Sequence, residues 1–364
     1  MIWPAQHLED LAHKIETMCA SQQPKYCYFS PLVLQENLPK ELSTNPFGFF
    51  DISNIVGPSW QQVAIHESFE TACLYIVSAH GSDIADLLWE LRTKAKQDSV
   101  FVLWHWDNHV AYNDNYKSAL ACDINFISHN LGVPGYLSNP VSPIAAHIPS
   151  CSAQFGHDEL QDMHQKYASL PRSDKGLFNY VIYENAPRAA LMRGLSETLA
   201  DVAEFKLMPS HDRTRYWMQS REARFVEWAS YKCCVIVPLV ADLSTRVFDA
   251  LATGQIPIVP RDVKDLDIVI PPATQEALGI VRIENLDSQN VRAGISQAIS
   301  NFDRDAHSGV LARLNYVLGQ AMTGHRIQAM LQHIEAIYQH KNKLVFGRGA
   351  NGIGAYVSPV EQQG

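Results

Sequence analysis

The run from Ser244 to Pro260, STRVFDALATGQIPIVP, opens with Ser244, Thr245 and Arg246 at the start of a helical pattern, and Asp249 follows three residues later. The start of a helix presents unpaired backbone N–H groups and the positive end of the helix dipole, a combination suited to phosphate. Arg246 adds charged donors in that first turn. Gly254 stops the helix, and a strand, Ile256 to Val259, arrives at once. The apolar run CCVIVPLV, Cys233 to Val240, precedes the helix, so the unit reads as strand, helix and parallel strand.

Over these residues the chain resembles the C-terminal half of GT-B glycosyltransferases. Many of them carry an Arg, then an aromatic–acid–Ala-Leu-Ala/Cys-x-Gly helix and a short P-I/V-V strand. The likeness is close from Ser244 to Pro260, holds in pattern over 170–345, and is architectural in the first half. It implies that Asp249 binds the ribose of a nucleotide-sugar, and that Arg246, with Ser244 and Thr245, meets its phosphates. Many retaining members have Glu where this chain has Asp249.

Other strand ends carry polar groups. Trp104-His105-Trp106-Asp107-Asn108-His109 closes the run SVFVL, where a parallel sheet places its chemistry. Asp107 is the candidate catalytic carboxylate there and His105 or His109 the general base; aromatic packing around a turn is the alternative. Ser128-His129-Asn130 ends the next strand, with His129 as a further base or a surface histidine in a turn, and His80-Gly81 makes a third such tip. In the second half, Glu184 and Arg188 follow the strand Phe178 to Tyr183 and could meet a sugar hydroxyl and a phosphate, against helix capping and solvent exposure. Lys232 and Arg261 flank the central unit as phosphate candidates. Basic residues gather at Arg213, Arg215, Arg221, Arg224 and Lys232, readable as a solvated helix face or as an anion contact. Asp265 and Asp267 spell D-L-D, an echo of a metal motif from a different glycosyltransferase fold, and no metal is expected. Gly347 to Gly352, GRGANG, matches G-x-G-x-x-G, but it follows a helical segment near the C-terminus instead of opening a βαβ unit, and reads as a flexible tail.

The elements that would hold these groups alternate along the chain. Helical patterns cover 8–20, 83–96, 114–121, 157–169, 187–200, 219–231, 288–302 and 310–340. Strand patterns cover 26–29, 47–52, 73–78, 99–103, 124–127, 178–183, 203–208 and 280–283. Such alternation means parallel sheets covered on both faces. Residues 149–176 turn polar, with Pro171, Ser173 and Gly176, as the approach to a linker.

At 364 residues the chain suits two domains. Apolar residues make up 46% and charged ones 18%, composition for packed cores and not for disorder. A formal charge of −9 and a pI near 5.9 argue against a nucleic-acid partner. Seven cysteines without framework spacing indicate reduced thiols and a cytoplasmic setting. The N-terminus reads as no signal peptide, and no apolar run has the length of a membrane span.

The expectation is therefore an α/β protein of GT-B type: two Rossmann-like domains, 1–170 and 171–345, with parallel sheets facing an interdomain cleft, and a Gly-rich tail, 346–364. The implied activity is transfer of a sugar from a nucleotide-sugar donor to a saccharide or glycolipid acceptor, in surface-polysaccharide or lipopolysaccharide assembly. No cofactor is expected. Attachment to the inner face of the membrane is compatible with this reading, and the sugar, the nucleobase and the oligomeric state stay open. The rivals are a nucleotide-sugar epimerase or hydrolase of the same fold, and a non-catalytic nucleotide-sugar-binding protein.

Overall fold

The computed structural model describes residues 4–29, 60–79, 84–107, 112–130, 142–183, 187–210, 219–349 and 352–360. Its strands are β1 (Lys25–Phe29), β2 (Gln61–Gln62), β3 (Cys73–Ala79), β4 (Val100–His105), β5 (Ile124–Ile127), β6 (Ile144–His147), β7 (Ser173–Ile182), β8 (Ala203–Pro209), β9 (Tyr231–Val235), β10 (Ile256–Pro260), β11 (Val281–Ile283), β12 (Asn342–Gly349) and β13 (Gly352–Pro359). They form two sheets, each in its own compact unit. The expected α/β class with two Rossmann-like parallel sheets is what the chain adopts.

The second unit, Cys151–Thr323, holds the sheet β11-β10-β9-β7-β8, with every neighbouring pair parallel. In chain order that is 2-1-3-4-5, the doubly wound pattern whose order reverses between β7 and β9. All of β10 is buried, as parallel strands covered on both faces must be. The helix Thr245–Ala252 buries every residue from Val247 to Ala252. Val247, Phe248 and Leu251 share a core with Leu177 on one face of the sheet, while Phe178, Tyr180 and Ile182 join the core on the other.

Gly254 ends that helix with φ +76°, a left-handed backbone that glycine adopts without strain. The terminal carbonyls are met by side chains from elsewhere in the unit. His164 Nε2 lies 2.6 Å from Ala252 O, Arg172 donates to Thr253 O at 2.9 Å and Arg313 to Gly254 O at 3.0 Å. Positive charge suits the negative end of a helix. Burial pushes both arginines down to about 10, so they remain charged at neutral pH.

The first unit runs to Ser150 and resumes at Gly324. Its sheet, β12-β13-β6-β5-β4-β3-β1-β2, is parallel except for the last hairpin. The units divide after Ser150 and Thr323, not at the expected 170 and 345. The C-terminus corrects a second expectation. Residues read as a flexible glycine tail pair antiparallel from Asn342↔Pro359 to Gly349↔Gly352, and β13 adds to β6 at Tyr356↔Ile144. Leu344, Val345 and Phe346 facing Val357, Tyr356 and Ala355 supply cross-strand apolar pairs that outweigh the glycines. The strand expected at 47–52 lies outside the described residues. Among the described residues no helix is long and apolar enough to cross a membrane.

Candidate functional site

In the second unit, β7 and β9 stop pairing after Leu177↔Cys234, at the point where the strand order reverses. Tyr180 fills the opening. Its hydroxyl donates to Val235 O at 2.9 Å and accepts from Val237 N at 2.7 Å. Two guanidinium groups gather on its ring: Arg246 is 4.3 Å from the centroid and Arg188 is 5.3 Å. The two cations therefore lie no further apart than those distances together allow. Arg188 comes from the start of the helix Pro187–Thr198, and Arg246 from the first turn of Thr245–Ala252. Each is aimed by a backbone carbonyl. Arg246 Nε donates to Asn179 O at 3.1 Å, and Arg188 reaches Val237 O at 3.4 Å.

Neither arginine forms an ion pair among the described residues. Burial lowers the pKa of Arg188, and the charge of Arg246 lowers it further, against the opposing effects of Tyr180, Asp242 and Tyr183. Two half-buried like charges on one ring repel, and an anion seated between them would relieve that repulsion. Ser244 caps the adjoining helix and its oxygen accepts from Arg246 N, while Thr245 is half-buried beside it. The geometry thus assembles four of the expected donor residues, Arg188, Ser244, Thr245 and Arg246, at the carboxyl end of the sheet, where open α/β sheets receive ligands. Tyr180 went unread in the sequence because its alternation with Phe178 and Ile182 is that of an ordinary buried strand.

Other expected residues are placed elsewhere. Lys232 stands at the amino end of β9, the far end from this site, with Nζ 2.5 Å from Asp174 and 2.6 Å from Asp303. It is a neutralised structural cation and not a phosphate ligand. Arg261 is exposed after β10 and lies 3.3 Å from Glu284, in a groove of about 620 Å³ that also takes in Lys264, Arg282 and Arg304. Glu184, Arg213, Arg215, His80, Asn108 and His109 fall outside the described residues. Arg221 pairs with Glu159 at 2.8 Å and Arg224 is buried, so the basic cluster is not one solvated face. Asp267 is held by Arg282 at 2.6 Å and Asp265 is buried.

Asp249 corrects the ribose expectation. It is buried, and its two carboxylate oxygens accept from Ser152 Oγ at 3.0 Å and Gln154 Nε2 at 2.7 Å. A ribose would have to displace both. Burial pushes its pKa up to about 6, against the opposing effects of those bonds and of Arg246 and Arg224. The folded chain therefore holds a proton here that the unfolded chain releases near pH 4. The stabilisation this gives is full below pH 4 and is lost as pH rises through about 6. We expect Asp249→Asn to remove that term, worth about 3 kcal/mol for a shift of roughly two pKa units. Thermal melts of both proteins from pH 4.5 to 7.5 check it: the variant should gain on the parent as pH rises. A constant difference would show that Asp249 titrates normally.

In the first unit, His105 is fully buried, with Nε2 2.8 Å from Asn125 Oδ1 and Nδ1 3.3 Å from Asn115 Oδ1. Trp104 is buried and donates to Ile148 O at 2.8 Å, and Trp106 packs edge-on against it at 5.0 Å. His129 is only 2% exposed. His105 and His129 are thus interior residues. Asp107 is half-buried at the β4 tip, where its backbone carbonyl accepts from Asn115 at 2.9 Å. Among the described residues no cluster of His, Cys, Asp and Glu could hold a metal ion.

No protein-family model and no curated protein sequence matches the chain. Among solved structures it is similar to a glycosyltransferase from Rickettsia africae ESF-5, at 8% identity and a TM-score of 0.44, over 87% of this chain and 98% of that one. It is also similar to the GtfA/B complex, at 12% identity and 0.38, over 75% of this chain and 59% of that one. A third likeness is to CalG4, the calicheamicin glycosyltransferase, at 10% identity and 0.35, over 88% and 99%.

Proposed function

We propose that this chain is a glycosyltransferase whose second unit binds the diphosphate of a nucleotide-sugar between Arg188 and Arg246. The observation that carries the reading is the convergence of two guanidinium groups on Tyr180, neither in an ion pair among the described residues, beside the capped start of Thr245–Ala252. The resemblance of Ser244 to Pro260 to nucleotide-sugar enzymes supplies the reaction class. As the glycosidic bond to the donor breaks, negative charge builds on the departing phosphate. Preorganised arginines and helix N–H groups stabilise that charge more than the ground state, which lowers the barrier. Asp107 is our candidate for the base that accepts the acceptor hydroxyl's proton, and a saccharide or lipid-linked saccharide of surface-polysaccharide assembly is the acceptor class proposed.

Thermal melts with UDP, GDP, CMP and ADP test the donor. A bound nucleotide at about 100 times its dissociation constant adds roughly 2.7 kcal/mol. The sugars of the stabilising nucleotide are then offered with and without saccharide acceptors. Transfer is expected to continue in EDTA, because the arginines and helix start supply the positive charge. No stabilisation by any of the four would remove the reading, and turnover equally fast without acceptor would make the chain a hydrolase. Loss of transfer in EDTA, restored by magnesium, would add a metal and point to Asp265 and Asp267.

A further inference from the structure

The edge strand β11 lies between the two helical layers of the second unit. Ile295 and Ala298 of the helix Ser288–Gln320 share a core with Val281 and Ile283 on one face of the sheet, while Leu266, Ile270 and Leu278 join the core on the other. Past the edge the layers leave the groove of about 620 Å³ that Arg261 enters, a volume suited to a small ligand. Gln275 and Glu276 line it from the short helix Pro272–Ala277, and Gln297 and Asn301 from Ser288–Gln320. In the strand order β11-β10-β9-β7, it stands three strands from Tyr180.

Its lining gives the chemistry. Four of the twelve residues are Lys or Arg, against 29 of 364 in a chain that carries −9, so positive charge is concentrated here. Five more are amides or carboxylates, groups that hydrogen-bond hydroxyls. Arg282 is structural: its Nη1 is held by Asp267 at 2.6 Å and Gln275 at 3.2 Å, and its Nη2 by the carbonyls of Pro260, Arg261 and Val263. The other cations are open to solvent. Lys264 is exposed and forms no ion pair among the described residues. Arg261 and Arg304 are 64% and 65% exposed, paired with Glu284 at 3.3 Å and Asp305 at 2.7 Å. Ion pairs of exposed side chains are weak, so a ligand's carboxylate can exchange into them.

These cations bracket β11. Arg261 N donates to Ile283 O at 2.9 Å, at the carboxyl end of the strand. Arg304 donates to Asn301 Oδ1 at 3.3 Å, and Asn301 Nδ2 reaches Gly279 O at 3.5 Å, ahead of the amino end. From Gly279 to Ile283 an extended chain covers about 13 Å, more than one phosphate spans.

We propose that this groove binds an acidic oligosaccharide, one end's carboxylate on Arg261 and Lys264, the other's on Arg304, and hydroxyls between them on Gln297 and Asn301. The site is separate from the phosphate site and needs neither Arg188 nor Arg246.

The test titrates trigalacturonate, its methyl ester and inorganic pyrophosphate into the full chain by calorimetry, in the parent, Lys264→Gln/Arg304→Gln and Arg246→Ala. The acid should bind the parent at least tenfold more tightly than the uncharged ester. The double variant should lose about 10- to 100-fold, the worth of hydrogen bonds to charged groups, while Arg246→Ala keeps parental affinity. Both substituted side chains are exposed, so melting should not change; should the double variant misfold, Lys264→Gln decides alone, and parental affinity in it overturns the site. Absent binding, or equal affinity for the ester, overturns the proposal. Affinity lost in Arg246→Ala but kept in the double variant places the acid at the phosphate site and overturns it too. Pyrophosphate that displaces the acid at equal concentration makes the groove a general anion site, overturning the saccharide assignment. Pyrophosphate binding that is unchanged in Arg246→Ala counts against the phosphate reading alone.

Discussion

Replacing Arg246 with alanine is expected to weaken pyrophosphate or nucleotide binding by about 10- to 100-fold, the worth of hydrogen bonds to a charged group. Arg188→Ala should cost a similar factor. The two losses should not simply add, because both groups act on one ligand and on each other. In the empty protein each arginine contributes a cation–π contact with Tyr180 but also repels the other. Melting should therefore change little in either single variant, while affinity falls. The parent's affinity should also decline with added salt, as expected for charge pairing that is open to solvent. Calorimetry on the parent, both single variants and the double variant measures the coupling. Additive losses would place the arginines on separate ligands, and unchanged affinity would dissociate them from phosphate altogether.

Arg246 and Arg188 could be found in the sequence because each sits in the first turn of a helix that follows a parallel strand. That local pattern fixes both the end of the sheet and the face. Lys232 could have been set aside by the same logic, since it stands at the amino end of its strand, but closeness to the motif drew it in. Asp249 could not be read locally. Its burial depends on Ser152 and Gln154, nearly a hundred residues earlier in the chain. Tyr180 is silent for a related reason: a strand of ten residues with alternating apolar side chains gives no sign of where its neighbour departs. Strand and helix periodicity recovered most of the alternating elements of both units, but not β2, β6 or the short helices Ile65–Ser68, Asp265–Val269 and Pro272–Ala277. It missed the closing hairpin because the glycines of GRGANG outweighed the strand formers on either side. It also misjudged the unit boundaries, since a sheet can recruit a strand from the far end of the chain.

His105→Ala is expected to destabilise the protein by about 3–4 kcal/mol, through loss of the buried hydrogen bond to Asn125 and the cavity left behind. Both partner amides are oriented by their own donated bonds. Asn125 Nδ2 is committed to Ser142 Oγ at 2.5 Å and Asn115 Nδ2 to Asp107 O at 2.9 Å, so both oxygens face the imidazole. The shorter contact puts the ring proton on Nε2, toward Asn125. Burial pushes the pKa of His105 down to about 4. In the unfolded chain it titrates near 6.5, so the stability it brings is full above pH 6.5 and is lost as pH falls through about 4. A base must meet the proton it takes, and an imidazole with no exposed surface and its N–H committed to Asn125 meets no acceptor hydroxyl. Denaturant unfolding at pH 7.5 and pH 5 checks this: the deficit of His105→Ala should be large at pH 7.5 and smaller at pH 5. Asp107→Asn, at the half-buried tip, should melt normally and lose turnover by about 10²- to 10⁴-fold, the usual share of a general base. A His105→Ala protein that melts normally and has lost only transfer would return the imidazole to the chemistry. A normally melting, fully active Asp107→Asn protein would take Asp107 out of it.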